Sequence, residues 1–277
     1  MRLVKQLVAV AVVAFAGNAG VSAVQGNALL TLVIGLATAA LALFVYARVV
    51  RWSERRDPVE VATAGAAATT GRGALIGMGL FAAVIVNIAF MGGYRIDGMG
   101  SVTGALGLVG FMAAAAVTEE LLFRGILFRI VEERLGSWLA LTLTAVLFGL
   151  VHLVNPHADL WGATAIAIEA GGMLAACYAA TRTLWLPIGL HFGWNYAAAG
   201  IFGAEVSGNG ASNGLLHGVT SGPTALTGGA FGPEGSVYAV VFCTLLTIVF
   251  VWLAHRRGTW IPLRRGAAAG EDARLSR

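Results

Sequence analysis

Charged residues are scarce in this chain. Asp, Glu, Lys and Arg make up 12% of its 277 residues, whereas hydrophobic residues make up 58%. No soluble domain of this size needs so large an apolar fraction, so the composition argues against a soluble globular protein. Apolar runs of about 20 residues recur along the chain, which is typical of polytopic helical membrane proteins.

Cysteine is rarer still. The two cysteines, Cys177 and Cys243, both fall within apolar runs. This argues against a disulfide framework, and a cysteine-based metal site would have too few ligands.

The helical zinc signature His-Glu-x-x-His is missing, and no Ser or Cys stands beside a His at helical spacing in the core runs, which argues against a covalent nucleophile. No inverted internal repeat is visible, and this counts mildly against a transporter.

The apolar runs predict an all-α fold, a polytopic transmembrane helical bundle of about eight spans. The first run has an alternative interpretation as a signal peptide, but a retained span is favoured because a second run follows almost at once. Gly73 and Gly77 offer a small-residue packing face in the third span. The predicted spans are residues 4–24, 28–47, 73–92, 102–135, 137–154, 161–180, 184–202 and 236–254.

Basic residues indicate the orientation of the bundle. With both termini in the cytoplasm, every one of the 18 Lys and Arg residues except Arg95 lies on the cytoplasmic side. The net charge of +4 is then explained by cytoplasmic loops, so we predict the lipid bilayer as a partner, no nucleic acid, and a multi-pass location in the cell membrane. The end of the fourth span is expected to project into the cytosolic interface with Arg129, Glu132, Glu133 and Arg134. Residues 203–235 are expected to form a flexible outer loop and the C-terminus a basic tail.

Three charged residues interrupt the fourth span. A charge at bilayer depth costs at least about 2.5–3.5 kcal/mol, so Glu119, Glu120 and Arg124 mark a candidate functional site. Residues four apart share a helix face, and Glu120 and Arg124 are so spaced. An ion pair between them leaves Glu119 without a partner in its own helix, which suits a general base.

Two later spans offer partners for Glu119. His152 lies in the fifth span, and His191 and Asn195 share one face of the seventh. If Gly136 is the turn between antiparallel helices, Glu119 lies 17 residues before it and His152 lies 16 after it, at nearly the same height.

Several chemistries fit these groups. Glu and His can hold and deprotonate a water molecule, while a second His and an Asn can donate hydrogen bonds to a developing oxyanion. Alternatively, the two His and a Glu can bind Zn²⁺ as a cofactor, which lowers the pKa of bound water. In simpler interpretations the charges form a solvated cluster at a helix end, His152 is satisfied by a helix carbonyl, and Asn195 joins two spans.

The motifs Glu-Glu-x-x-x-Arg, Phe-x-x-x-His (Phe148, His152) and His-x-x-x-Asn occur in this order on successive apolar helices. This arrangement resembles the CPBP family of intramembrane proteases, which holds the type II CAAX prenyl proteases and bacteriocin-processing relatives. The matching region is about 102–203. Residues 1–100 would then be N-terminal spans, 101–203 a catalytic core, and 204–277 an outer loop, the eighth span and the tail.

The resemblance implies a CAAX-type endopeptidase that hydrolyses a peptide bond of a membrane-associated protein or peptide. It implies that Glu119 and His152 activate water, that His191 and Asn195 donate to the oxyanion, and that Glu120 and Arg124 support them. Family members are commonly described as metalloproteases, but nothing in these residues decides metal use. The competing hypotheses are a proton-coupled transporter with a Glu119–His152 relay and a non-enzymatic immunity or scaffold protein.

Overall fold

The computed structural model describes residues 1–210 and 213–263. The predicted all-α class is confirmed, because long helices dominate and the described residues contain a single two-stranded sheet. The predicted basic tail, from 264 onward, lies outside the described residues. The helices are α1 (Arg2–Ala23), α2 (Ala28–Glu54), α3 (Ala66–Phe90), α4 (102–135), α5 (137–151), α6 (Leu160–Thr181), α7 (185–201) and α8 (Val237–Arg256).

A helix stands at each of the eight predicted spans. Six stretches of the described chain are long and apolar enough to cross a membrane; one of them is the 53-residue stretch Val102–Val154. Gly136 divides that stretch into α4 and α5, because its φ of 77° and ψ of 169° are not helical. The predicted turn is therefore present. The number of crossings and the side on which each terminus lies stay predictions.

Large apolar side chains cover much of the outside of the bundle. Phe15, Leu75 and Phe90 are 77%, 69% and 87% exposed. In water such exposure would be costly, whereas lipid is as apolar as these side chains. The chain is accordingly a multi-pass membrane protein.

Glycines bring α3 and α7 into backbone contact. A Cβ at Gly73 would lie 2.4 Å from the carbonyl oxygen of Leu186, and a Cβ at Gly77 would lie 2.1 Å from that of Leu190. The contact is reciprocal, because a Cβ at Gly193 would lie 2.1 Å from the carbonyl oxygen of Ala74. Small residues on both helices permit this approach, as the sequence predicted for α3. α3 thereby fixes the position of α7.

Polar side chains join α1, α2 and α4 at the end predicted to be cytoplasmic. Arg129 donates to Glu54 at 2.7 Å and to the amide oxygen of Gln6 at 3.1 Å. Gln6 is fully buried and donates to Ser53 and Glu54, both at 2.8 Å. These hydrogen bonds attach α1 to the bundle, and its retention in the mature protein stays a prediction.

The end of α4 does not project as predicted. Arg129 and Glu132 are 8% and 2% exposed, so only Glu133 and Arg134 lie at the surface. Arg182, which follows α6, donates to Glu132 at 3.1 Å. The burial was not foreseen because the partner of Glu132 lies far away in the sequence, just after α6.

The predicted outer loop is more structured than expected. Its strand β2 (Leu216–Thr220) pairs antiparallel with β1 (Tyr94–Met99), with Tyr94 opposite Thr220. Three short helical segments follow, at Thr224–Thr227, Gly229–Phe231 and Pro233–Gly235. Glu234, in the last of them, is 2% exposed. Glycines at positive φ supply the turns, so a Gly-rich composition here encodes tight folding.

Candidate active site

Glu120 is at the centre of a buried charge cluster. Arg124 donates from Nη1 to Glu120 Oε1 at 2.7 Å, and the two side chains are 1% and 0% exposed. The predicted ion pair on one face of α4 is therefore present, and the interpretation as a solvated charge cluster is wrong. His191 Nδ1 lies 2.9 Å from the same oxygen of Glu120. This oxygen joins α4 to α7.

Arg124 ties α4 to two further helices. Its Nη2 donates to the backbone carbonyls of Ala170 and Gly171 in α6, the latter at 3.2 Å. The guanidinium carbon lies 4.8 Å from the ring centroid of Phe148 in α5, within the range of a cation–π contact. A buried charge needs this many partners to be tolerated. Arg124 thus fixes the mutual positions of α4, α5 and α6.

Wide π-helical turns flank the cluster. They cover Leu121–Phe128 directly after Glu120, Ala167–Gly172 in α6, and Tyr196–Ile201 directly after Asn195. Such turns are rare and occur often at functional sites, because the extra residue redirects neighbouring side chains.

Glu119 points away from its neighbour Glu120, as the helical rotation predicted. Its side chain is 30% exposed and faces a cavity of about 720 Å³. Its Oε2 lies 3.9 Å from Nε2 of His191, too far for a hydrogen bond, and has no hydrogen-bond partner among the described residues. His191 therefore stands between two carboxylates, with one ring nitrogen facing each.

His152 directly follows α5 and is held by the last turn of that helix. Its Nδ1 lies 2.7 Å from the carbonyl oxygen of Phe148. Because a carbonyl only accepts, Nδ1 must carry the proton, and in the neutral ring Nε2 keeps its lone pair. The contact proposed in the simpler interpretation thus exists, and it leaves His152 Nε2 free to act as a base.

Phe148 separates the two imidazoles. Its ring centroid lies 4.7 Å from that of His152 and 6.3 Å from that of His191. It is fully buried and also contacts Phe123 edge-on at 4.8 Å. These contacts explain the four-residue spacing of the Phe148–His152 pair, since one residue supplies both the carbonyl and the packing for His152.

The predicted site residues fall into two groups. Glu119, His152, His191 and Asn195 all line the one cavity, so α4, α5 and α7 converge on it. Glu120 and Arg124 are not among its lining residues and lie behind the wall. In the described part of the chain no hydrogen bond joins Glu119 to His152; the nearer imidazole is that of His191.

The sequence analysis missed two acidic residues in the same cavity. Glu169 in α6 and Glu234 before α8 both line it, and each is 2% exposed. Glu169 lies alone in an apolar run, so the rule that identified Glu119 also indicates it. Glu234 lies in a loop of glycines and carried no signal. Its carboxylate accepts from Trp194 Nε1 at 2.8 Å and from Ser207 Oγ at 2.9 Å.

The side chains of the site do not fit a zinc ion. A catalytic zinc takes three protein ligands, and among the described residues no three His, Cys, Asp or Glu side chains are placed to hold a metal. Because Nδ1 of each cavity imidazole is already engaged, only Nε2 of His152 and of His191 is left to bind a metal.

One family model matches the part of the chain that carries these residues. Residues 101–197 match the family model described as Type II CAAX prenyl endopeptidase Rce1-like. All six predicted site residues fall within the match. A search of curated proteins and a search of solved structures each found no match.

Proposed function

We propose, from the match of residues 101–197 to the family model of Rce1-like type II CAAX prenyl endopeptidases, that the chain hydrolyses a peptide bond of a membrane-associated protein or peptide by side-chain-activated water. One observation carries the proposal. Four polar side chains from three helices line a single cavity in an apolar bundle. Such side chains are costly in lipid and are kept for function.

Water activation is assigned to Glu119 and His152. The Glu119 carboxylate and His152 Nε2 each offer a lone pair to the cavity, and both can accept a hydrogen bond from one water molecule. As the water oxygen attacks the peptide carbonyl carbon, its proton passes to this pair. The same proton then moves to the amide nitrogen, so the carbon–nitrogen bond breaks and a neutral amine leaves.

Stabilisation of the oxyanion is assigned to Asn195 and His191. The Asn195 amide can donate directly. His191 uses its Nδ1 proton toward Glu120, so Nε2 can donate only when the ring carries both protons. The carboxylates of Glu119 and Glu120 on either side favour that cationic form. The four side chains then alternate in charge in the order Arg124, Glu120, His191 and Glu119. The attraction between neighbouring charges offsets the free-energy cost of burying them.

Glu120 and Arg124 are positioning residues in this proposal. They lie behind the cavity wall and act through His191 and Phe148. They hold the imidazole of His191 at a fixed angle. A hydrogen-bond donor that is already in position needs no reorganisation during the reaction, so it stabilises the oxyanion more effectively.

The experiment is cleavage of a fluorogenic transmembrane peptide by the purified full-length protein in liposomes. Glu119→Gln should lower the rate by about 10²–10⁴, the usual contribution of a general base. Glu133→Gln is the matched control, because Glu133 lies at the surface end of the same helix; its rate should stay within about twofold. If the Glu119→Gln protein cleaves the peptide at the unaltered rate, the proposed function is wrong. Proton-coupled transport without proteolysis, abolished at Glu119 and His152, would favour a transporter instead.

A further inference from the structure

The cavity holds more negative charge than water activation requires. Three carboxylates line it, those of Glu119, Glu169 and Glu234. Among the described residues, no Lys or Arg side chain lines it. Arg124 lies behind the wall and donates to Glu120 and to backbone carbonyls of α6. The carboxyl groups that water activation does not use therefore face no cationic side chain of the described lining.

Glu169, like Glu119, carries a carboxylate oxygen without a hydrogen-bond partner among the described residues. Its side chain is 2% exposed, and Oε1 has no hydrogen bond to any described residue. A buried charged group that is left unpaired costs several kcal/mol. The arrangement suits a site completed by a ligand.

Glu234 stands beside Glu169 but is already satisfied. Its oxygens accept from Trp194 and Ser207, which fix the carboxylate in place. It lies within electrostatic range of Glu169 and of His152, and all three side chains line the same cavity. The acidic pair therefore adjoins the imidazole assigned to water activation.

We propose that Glu169, flanked by Glu234, forms a subsite that binds the cationic side chain of a lysine or arginine in the substrate polypeptide, close to the bond that is cut. The inference rests on the proposed function, because it takes the occupant of the cavity to be a polypeptide. An ammonium or guanidinium donates to the open oxygen of Glu169 and neutralises the repulsion between the two carboxylates. A free C-terminal carboxylate finds no cationic partner in the described cavity lining.

Binding to the Glu119→Gln protein tests the subsite without cleavage. Three transmembrane peptides are compared, identical except for Lys, Met or Glu beside the scissile bond. The Lys peptide should bind about tenfold more tightly than the Met peptide, as expected for a charge-assisted hydrogen bond. In the double variant Glu119→Gln/Glu169→Gln this ratio should fall to about one. Glu119→Gln/Glu133→Gln should keep it.

Equal affinities for the Lys and Met peptides in the parent, or a preference that survives Glu169→Gln, would overturn the proposal. The proposal would also be overturned if the Glu peptide bound more tightly than the Lys and Met peptides. If Glu169→Gln fails to fold, Glu169→Asp keeps the charge and should keep the preference. The unaltered protein supplies a further test, since n-butylammonium should compete with the Lys peptide more strongly than n-butanol does. Equal competition by both compounds contradicts the subsite.

The two proposals fail in different ways. Cleavage of the Met peptide by the unaltered protein, lost in Glu119→Gln, supports the protease whatever Glu169 does. If the protein prefers the Lys peptide in binding but cleaves no peptide, the result supports the acidic subsite and contradicts the proposed protease activity.

Discussion

Nδ1 of His191 lies 2.9 Å from Oε1 of Glu120, the oxygen that also accepts from Arg124. One carboxylate oxygen therefore orients the imidazole of one helix and neutralises the guanidinium of its own. Since the other ring nitrogen faces Glu119, a change at Glu120 reaches the cavity without touching a substrate.

Removal of the charge at Glu120 should destabilise the fold. Glu120→Gln leaves Arg124 buried without its counter-ion, and breaking a buried pair on one side costs about 3–5 kcal/mol. We expect a clear loss of thermal stability in liposomes or detergent, together with loss of cleavage. Glu119→Gln, which is 30% exposed and has no ion partner in its own helix, should unfold near the temperature of the unaltered protein.

The double variant Glu120→Leu/Arg124→Met separates stability from positioning. Apolar replacement of both members of a buried pair is often neutral or stabilising. Much of the stability lost in Glu120→Gln should therefore return, whereas cleavage should stay low because His191 has lost its anchor. Full recovery of cleavage would show that Glu120 has no positioning role.

Gly77 should not tolerate a side chain. Gly77→Ala places a methyl group 2.1 Å from the carbonyl oxygen of Leu190, next to His191, so α3 and α7 must separate. We expect lower thermal stability and reduced cleavage. Gly79→Ala is the matched control in the same helix, because no atom lies within 4 Å of its added Cβ. It should be stabilised by up to about 1 kcal/mol, the difference between Ala and Gly inside a helix. Equal effects of both substitutions would contradict the proposed close contact.

Acid should weaken the connection between α2 and α3. Burial alone would raise the pKa of Glu60, but hydrogen bonds from Arg56 and Tyr46 lower it below its ordinary value of 4.5. A folded pKa below the unfolded one gives stability that is present above pH about 4.5 and is lost as the pH falls through the folded pKa. Glu60→Gln should be less stable at neutral pH and should lose less stability on acidification. Thermal unfolding from pH 7 down to about 3 measures this; parallel curves for both proteins would oppose the assignment.

Local geometry was predictable from the sequence, whereas rotation between helices was not. The ion pair of Glu120 with Arg124 follows from helical spacing, and the turn follows from Gly136. The partners of Glu119 do not follow, because a helix can turn about its axis without any change in its hydrophobic pattern. The structure places His191 nearer than the predicted His152.

The two acidic residues of the proposed subsite also differ in how far the sequence predicts them. Glu169 could have been found, because it is a lone charge in an apolar run. Glu234 could not, since its burial depends on how a glycine-rich loop folds back over the cavity.

The last prediction concerns metal. Three ligands within bonding distance are needed for a catalytic zinc, and the described residues offer no such group. Cleavage by the purified protein should therefore persist after treatment with 1,10-phenanthroline and EDTA, and elemental analysis should find less than one zinc per chain. A stoichiometric zinc, with activity lost on chelation and restored by Zn²⁺ but not by Mg²⁺, would contradict this. In that case His152 and His191 would have to give up their bonds to Phe148 and Glu120, or turn Nε2 toward one point. His152→Gln should then abolish zinc binding, whereas in the mechanism proposed above it lowers cleavage alone.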